Sequence, residues 1–313
     1  MRYIYGTPDV NQVVSSIVVL GNFDGVHLGH QKLFDLAKIK AKETGFQIIA
    51  LSFYPHPTWV LGNNPKPLLN SREEKKARIK AMGVDVFIEY PFTTEFASIS
   101  PEEFFHRTLV NKLRAKVIII GSNYYFGKDK KGDIVHMKEL GEKYEAEICA
   151  VDTVKSHGIT ISSTNVRNLI LQGDMHKATQ LLGHPYTITG EVVHGKALGR
   201  TIGFPTANVK AEESRIYPPN GVYATIIEVY NKSYLGITNI GYNPTVSGKT
   251  KTVETHIFNF DELIYGETIK IALYEFMRPE KKFNSISELV SQLQEDKETA
   301  KNILIDCISS LQV

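Results

Sequence analysis

From the N-terminus to about residue 183, hydrophobic residues gather in short continuous runs separated by stretches with helical spacing. The runs are SIVVLG (16–21), QIIALSF (47–53), VDVFIEY (84–90), AKVIIIG (115–121) and AEICAVD (146–152). Apolar residues at consecutive rather than alternate positions predict strands buried on both faces, as in a parallel sheet covered by helices. Ser71 with Glu74, and Ser100 followed by Pro101 and Glu103, predict helix starts with capping boxes, the second with proline at the first helical position. This half therefore reads as a doubly wound α/β domain. After Gly183 the rhythm changes to GVYATIIEV (221–229), YLGITNIG (234–241), TVETHIFNF (252–260) and ETIKIALYEF (267–276), broken by Gly, Pro and Asn. Closely spaced strands with turn residues between them predict an antiparallel barrel or sandwich, here followed by helical patterns from about Ser287 to Leu311. The junction is expected at His184-Pro185, giving domains 1–184 and 185–313.

A chain of 313 residues has room for two domains with their own cores. Its 42% hydrophobic and 22% charged residues, with mean hydropathy −0.16, are those of an ordinary globular protein. The longest aliphatic runs, such as Val117 to Ile120, are far below the roughly 18 residues of a membrane span. MRYIYGTPDV meets Gly6 and Pro8 before any apolar stretch forms, unlike a secretory signal, so a cytoplasmic protein with no membrane partner is expected. A net charge of +2 argues against nucleic acid as a partner. Cys149 and Cys307 lie far apart in apolar stretches, and are expected to be buried free thiols.

In a doubly wound sheet, ligands bind beyond the carboxyl ends of the strands. The first strand runs there into GNFDGVHLGH, whose glycines match neither G-x-G-x-x-G nor a P-loop. His27 and His30 stand at i and i+3 where a helix begins, beside free backbone N–H groups and the positive end of the helix dipole, which predicts an anion site rather than a metal site. In ITISSTNVR, Ser162, Ser163 and Thr164 precede a helix carrying Arg167 in its first turn, and predict a second set of phosphate contacts. The loops FYPHPT (53–58) and GSNYYFGKDKKGD (121–133) supply His56, Asn123 and the aromatics Tyr124, Tyr125 and Phe126, which either pack under the loop or stack on a planar ring.

In the second half, HGKALGRTIGFPTANVK (194–210) concentrates glycines, basic residues and the run Pro205-Thr206-Ala207-Asn208. Thr206 and Asn208 offer oxygen ligands for a hard cation such as Mg²⁺. In VETHIFNF, Glu254 and His256 share one strand face with Phe258, which makes Glu254 either a rim carboxylate or a general base.

GNFDGVHLGH with FYPHP, GSNYYFG and ISSTNVR resembles the FAD synthetase branch of the nucleotidylyltransferase superfamily, marked by H-x-G-H. The resemblance implies a Rossmann-like domain with His27 and His30 catalytic. It places ATP at Gly21, Phe23, Asp24 and Gly29, with Ser163, Thr164 and Arg167 on its phosphates, and FMN near His56 and Asn123. The family often has Asp where Asn123 stands and more glycines where KDKKGD lies. GRTIGFPTAN, YPPNGVYA, NIGYNPT, ETHIFNF and FMRPEKKF resemble the riboflavin kinase family. That similarity implies a closed six-stranded Greek-key barrel, Mg-ATP held by Gly199, Thr206 and Asn208, riboflavin near Glu254 and Arg278, and Glu254 as the base. Together they imply a bifunctional enzyme using ATP, riboflavin and FMN as substrates and Mg²⁺ as cofactor. The alternatives are one activity lost, with its half serving as a binding module, or an adenylyltransferase for another substrate.

Overall fold

The computed structural model describes residues 1–6, 14–62, 65–128, 131–195, 198–245 and 248–311. It contains two compact units, residues 1–163 and 164–313.

In the first unit, β1 (Arg2–Tyr5), β2 (Ser16–Leu20), β3 (Gln47–Tyr54), β4 (Val86–Pro91), β5 (Ala115–Gly121) and β6 (Glu147–Val151) form one parallel sheet in the order β1-β4-β3-β2-β5-β6. Helices α1 (Leu28–Thr44), α2 (Pro57–Leu61), α3 (Arg72–Ala81), α4 (Thr94–Ala97), α5 (Pro101–Glu103) and α6 (Ile134–Lys143) lie between the strands, with a π-helical segment at 104–112 and a small hairpin of β7 (Lys155–Ser156) and β8 (Ile159–Thr160). The continuous apolar runs have a direct cause. Val18, Leu20, Ile49, Leu51, Ile118 and Ile120 join one core with Phe105 and Met137, while Ile17, Val19, Ile48, Ala50 and Ile119 join another with Phe34 of α1 and Ile79 of α3. Alternate residues of each strand thus point into different layers. β1 gives little signal in the sequence because RYIY is a four-residue edge strand, paired with β4 and half exposed.

Ser71 and Glu74 form the full capping box on α3. At α5 the box is half made: Ser100 accepts the Glu103 N–H, but the Glu103 carboxylate turns to Arg107 at 2.8 Å. Cys149 and Cys307 are thiols, as expected, but half-buried rather than buried, because Cys149 lies on the edge strand β6 and Cys307 near the end of the last helix.

The second unit begins within α7 (Ser163–Gln172) and continues through α8 (Met175–Leu182), which packs on β9 (Tyr186–Val193) and β14 (Thr268–Arg278). With α9 (Leu198–Thr201) between β9 and β10 (Ala207–Lys210), and β11 (Gly221–Val229), β12 (Lys232–Thr245) and β13 (Gly248–Ile257) following, the strands close an antiparallel barrel, β10-β13-β12-β11-β14-β9. The meander β11-β12-β13 with β14 returning beside β11 is a Greek key. Val253, Thr255 and Ile257 of β13 are almost wholly buried, as are Thr238 and Ile240 opposite them, and hydroxyl contacts join Thr225, Thr238 and Thr255 in a row. On the outer wall, Val222, Ala224 and Ile237 form a second core with Phe258, Ala300 and Leu304 under α10 (Ile286–Leu311), a single helix.

The deepest charge in the first unit is Glu89 at the end of β4. It is fully buried and meets Lys75 at 2.7 Å, Arg72 at 2.9 Å and the Tyr3 hydroxyl at 2.6 Å. Burial alone would raise this carboxyl, but Lys75, Tyr3 and Arg72 outweigh it and hold the carboxyl below its ordinary value. Tyr3, desolvated and facing Glu89, is pushed up to about 12. A carboxyl whose folded-state value is depressed contributes stability at neutral pH and loses it as the pH falls through the carboxylate range. Glu89→Gln, leaving Lys75 and Arg72 without their counter-charge, is expected to cost about 3 kcal/mol at pH 7 and less in acid. Urea denaturation at several pH values checks both.

Candidate active sites

The first strand ends at Leu20 and the chain turns sharply before α1. Phe23 at φ 51° and Val26 at φ 42° both occupy the left-handed region, a strained conformation for an aromatic and for a β-branched residue. Four contacts hold the loop there: Asp24 Oδ1 accepts from Leu69 N at 2.8 Å, Gly25 N donates to Asn70 Oδ1 at 2.6 Å, the Ser52 hydroxyl donates to Asn22 O at 3.1 Å, and the Ser163 hydroxyl donates to Asp24 O at 2.9 Å. The Phe23 ring is fully buried in the core, so only its backbone can meet a ligand. At Gly21 a Cβ would lie 2.8 Å from that ring.

His27 caps α1, its Nδ1 accepting the His30 N–H at 3.3 Å. The two rings stack at 3.7 Å with 12° between their planes, and a Cβ on Gly29 would press on the His27 ring at 3.2 Å. Burial, then the neighbouring His27, pushes His30 well below the usual histidine range. It is therefore neutral at pH 7, with a ring N–H to offer rather than a fixed charge. With α1's first N–H groups the pair forms a donor cluster suited to oxyanions.

His56 caps α2, with Nδ1 at 2.7 Å from the Thr58 hydroxyl, and faces a small cavity of about 20 Å³ with Asn22, Asp24, Arg72 and Lys75. Asn123 is exposed in the turn after β5. Of the loop's aromatics, Phe126 packs in the core, Tyr124 lies partly buried against it, and Tyr125 is exposed; Asp129 and Lys130 lie outside the described residues. Helix α7 starts at Ser163, so Ser163 and Thr164 stand inside its first turn rather than before it, and Arg167, its fifth residue, opens the second turn rather than lying in the first. Thr164 is exposed and Arg167 buried, both counted with the second unit.

In the barrel, register assembles the second cluster. Asn208 of β10 pairs with Glu254 of β13, Glu254 with Asn239 of β12, Asn239 with Val222 of β11, and Val222 with Arg278 of β14. These residues form one row across five strands on the outer wall. All but Asn208 line a cavity of about 260 Å³, with Gly199, Phe204, Thr206 and His256 on one side and Leu289 and Leu293 of α10 on another. Thr206 also borders a neighbouring cavity of about 310 Å³, lined by Val192, Phe260, Ile264 and Tyr265. Glycine is required at 199, where a Cβ would overlap the Phe204 carbonyl, and Lys196 and Ala197 of the same segment lie outside the described residues. His256 is buried, and desolvation lowers its pKa.

Asn239, Arg72 and Lys75 border these cavities although no local pattern in the sequence singles them out. Asn239 stood inside the quoted NIGYNPT, but its place beside Glu254 depends on pairing between strands.

Family models match two stretches of the chain: that for FAD synthetase spans residues 10–165 and that for riboflavin kinase residues 182–304. The chain is therefore a two-domain protein of the flavin-nucleotide enzyme class. Among its relatives, the bifunctional riboflavin kinase/FMN adenylyltransferase of Bacillus subtilis is 41% identical, with 91% of each chain covered, and that of Listeria monocytogenes 39% identical, with 92% of each covered. A crystal structure named as a macrolide-efflux protein from Streptococcus pneumoniae superposes with a TM-score of 0.88 at 35% identity, covering 96% of this chain and 99% of that one. Among the described residues no helix is long and apolar enough to cross a membrane. The chain belongs to the bifunctional riboflavin kinase/FMN adenylyltransferase family.

At the edge of the larger cluster, Arg278 is held by Asp296 of α10 through Nε at 2.8 Å and Nη2 at 2.6 Å, a two-pronged bond with Asp296 buried. Removing the carboxylate with Asp296→Ala should strand the guanidinium and lower the stability of the barrel unit by about 3 kcal/mol. Chemical denaturation followed by far-ultraviolet circular dichroism measures it, and a variant as stable as the parent would show that the bond is a surface contact in energetic terms.

Proposed function

We propose that the chain phosphorylates riboflavin to FMN in its barrel and transfers an adenylyl group from ATP to FMN in its first unit, giving FAD. The observation that carries the reading is Glu254, set between Asn208 and Asn239 and facing a cavity next to Thr206. Glu254 accepts the proton of the ribityl 5′-hydroxyl as its oxygen attacks the γ-phosphorus of ATP. The new O–P bond forms, the bond to the β-phosphate oxygen breaks and ADP leaves. The cavity bearing Glu254 takes the flavin and its neighbour the nucleotide, with Thr206 shared at their join.

The Thr206 hydroxyl and the Asn208 amide oxygen are hard donors that suit Mg²⁺. Among the described residues no group of three or more His, Cys, Asp or Glu is placed to hold a metal. Mg²⁺, when bound, neutralises charge on the substrate phosphates. The chain's own part is to align the hydroxyl and remove its proton.

In the first unit an FMN phosphate oxygen attacks the α-phosphorus of ATP, and pyrophosphate leaves as the α–β bridge breaks. Neutral His30, with His27 and the α1 N-terminus, donates hydrogen bonds to the charge that develops there. Gly21 and Gly29 admit the Phe23 and His27 rings that shape the loop, and ATP contacts at Gly21, Phe23, Asp24 and Gly29 rest on the GNFDGVHLGH motif. Ser163, Thr164 and Arg167 as phosphate contacts rest on the ISSTNVR motif, and His56 and Asn123 as flavin contacts on FYPHP and GSNYYFG. Catalytic domains at 1–184 and 185–313, a cytoplasmic location and small molecules rather than nucleic acid as partners complete the proposal.

Incubation of the protein with riboflavin and Mg-ATP should yield FMN and then FAD on chromatography. Glu254→Gln keeps size and hydrogen bonding but removes the base, and should slow FMN formation by about 10² to 10⁴ while added FMN is still converted to FAD. His30→Ala should show the reverse, with FAD formation reduced about 10²-fold or more and FMN accumulating. Loss of both activities in folded Glu254→Gln would make the sites interdependent, and loss of neither would leave Glu254 a rim carboxylate.

A further inference from the structure

The antiparallel ladder between β10 and β13 begins at the pair Ala207–Thr255, so Pro205 and Thr206 lie beyond the last paired residues. Continued by one position, the ladder would set His256 opposite Thr206. In its place the His256 ring reaches across, its Nδ1 lying 2.8 Å from the Pro205 carbonyl oxygen, to which a ring N–H there donates. The ring is 8% exposed and stands between two phenyl rings, Phe204 at 5.1 Å and Phe258 at 5.6 Å. The imidazole is thus buried while Pro205 is exposed, and the contact lies half-buried at the end of the strand pair. His256 and Thr206 line the same cavity as Glu254.

We propose that His256 is a positioning residue for riboflavin phosphorylation: it fixes the Pro205–Thr206 turn where the strand pairing stops, and so fixes the Thr206 hydroxyl relative to the nucleotide's phosphates. The proposal rests on the kinase reading of the barrel. A histidine that merely walled the flavin cavity would act on riboflavin, whereas one that holds the turn acts on ATP.

Three variants separate these roles. His256→Ala removes the donor. His256→Gln keeps bulk but carries its amide nitrogen beyond the Nδ1 position, and His256→Asn places an N–H close to it. In kinase assays, Ala and Gln should raise the KM for Mg-ATP by up to about tenfold, the scale for one lost hydrogen bond. Riboflavin affinity, followed by quenching of its fluorescence, should change less than about twofold, and Asn should recover most of the ATP effect. Independently of activity, amide exchange read by mass spectrometry should quicken at Phe204, Thr206 and Ala207 in Ala and Gln and return toward the parent rate in Asn. An unchanged KM for ATP with unchanged exchange overturns the proposal, as does equal weakening of riboflavin and ATP without rescue by Asn. If His256→Ala does not fold, Gln and Asn decide the matter between them. If the parent protein does not phosphorylate riboflavin, the kinase reading fails, while the exchange data still judge the contact.

Discussion

A strand presents its side chains to two faces in turn, and much of what this chain does depends on which face each residue takes. On β13 the inward set is Val253, Thr255 and Ile257, and the outward set Glu254 and His256. A slip of one residue would exchange the sets, burying a carboxylate and an imidazole in the barrel and moving its core to the surface. The buried hydroxyls of Thr225, Thr238 and Thr255 oppose such a slip, because each finds its partner only in the observed alignment. The same alternation in the parallel sheet divides single runs such as SIVVL between two cores, and leaves the chemistry to the loops beyond.

Where elements of different kind meet, buried charge does the fastening. Glu89 joins β4 to α3 through Lys75 and Arg72 and to β1 through Tyr3, and the Arg72 guanidinium also lies over the rings of Tyr5 and Tyr54. Arg278 joins β14 to α10 through Asp296. Both fastenings sit beside a candidate site: Arg72 and Lys75 share a cavity with His56, and Arg278 one with Glu254. Near the first, the strained backbone at Phe23 and Val26 is kept in place by Asp24, Asn70, Ser52 and Ser163, so the conformation of that loop is held by contacts from distant parts of the unit.

The parts of the fold and sites legible in the sequence were those set by local pattern. The five long strand runs, the barrel strands from 221 onward, the Ser71 cap and the His27–His30 pair at a helix start all follow from spacing within a few residues. What escaped was decided at long range. β1 is too short and too exposed to signal, Glu103 has two possible partners and the structure gives it Arg107, and nothing near Asn239 tells that it will stand beside Glu254. The stacking of His27 on His30 was likewise beyond reach, since i, i+3 spacing allows contact without fixing ring planes.

The barrel's closing seam carries a consequence for how the protein is made. β9, its first strand, pairs with β10 and with β14, its last, from Thr268–Glu191 to Leu273–Tyr186. A nascent chain leaving the ribosome can form the β11-β12-β13 meander early, but β9 has no partner on its second edge until the segment after residue 267 has been translated. Leu289 and Leu293, which line the Glu254 cavity, and Asp296, which holds Arg278, emerge later still. The first unit, whose six-stranded sheet is synthesised by residue 151 and whose β7-β8 hairpin by residue 160, can be complete while the barrel still waits for its last strand.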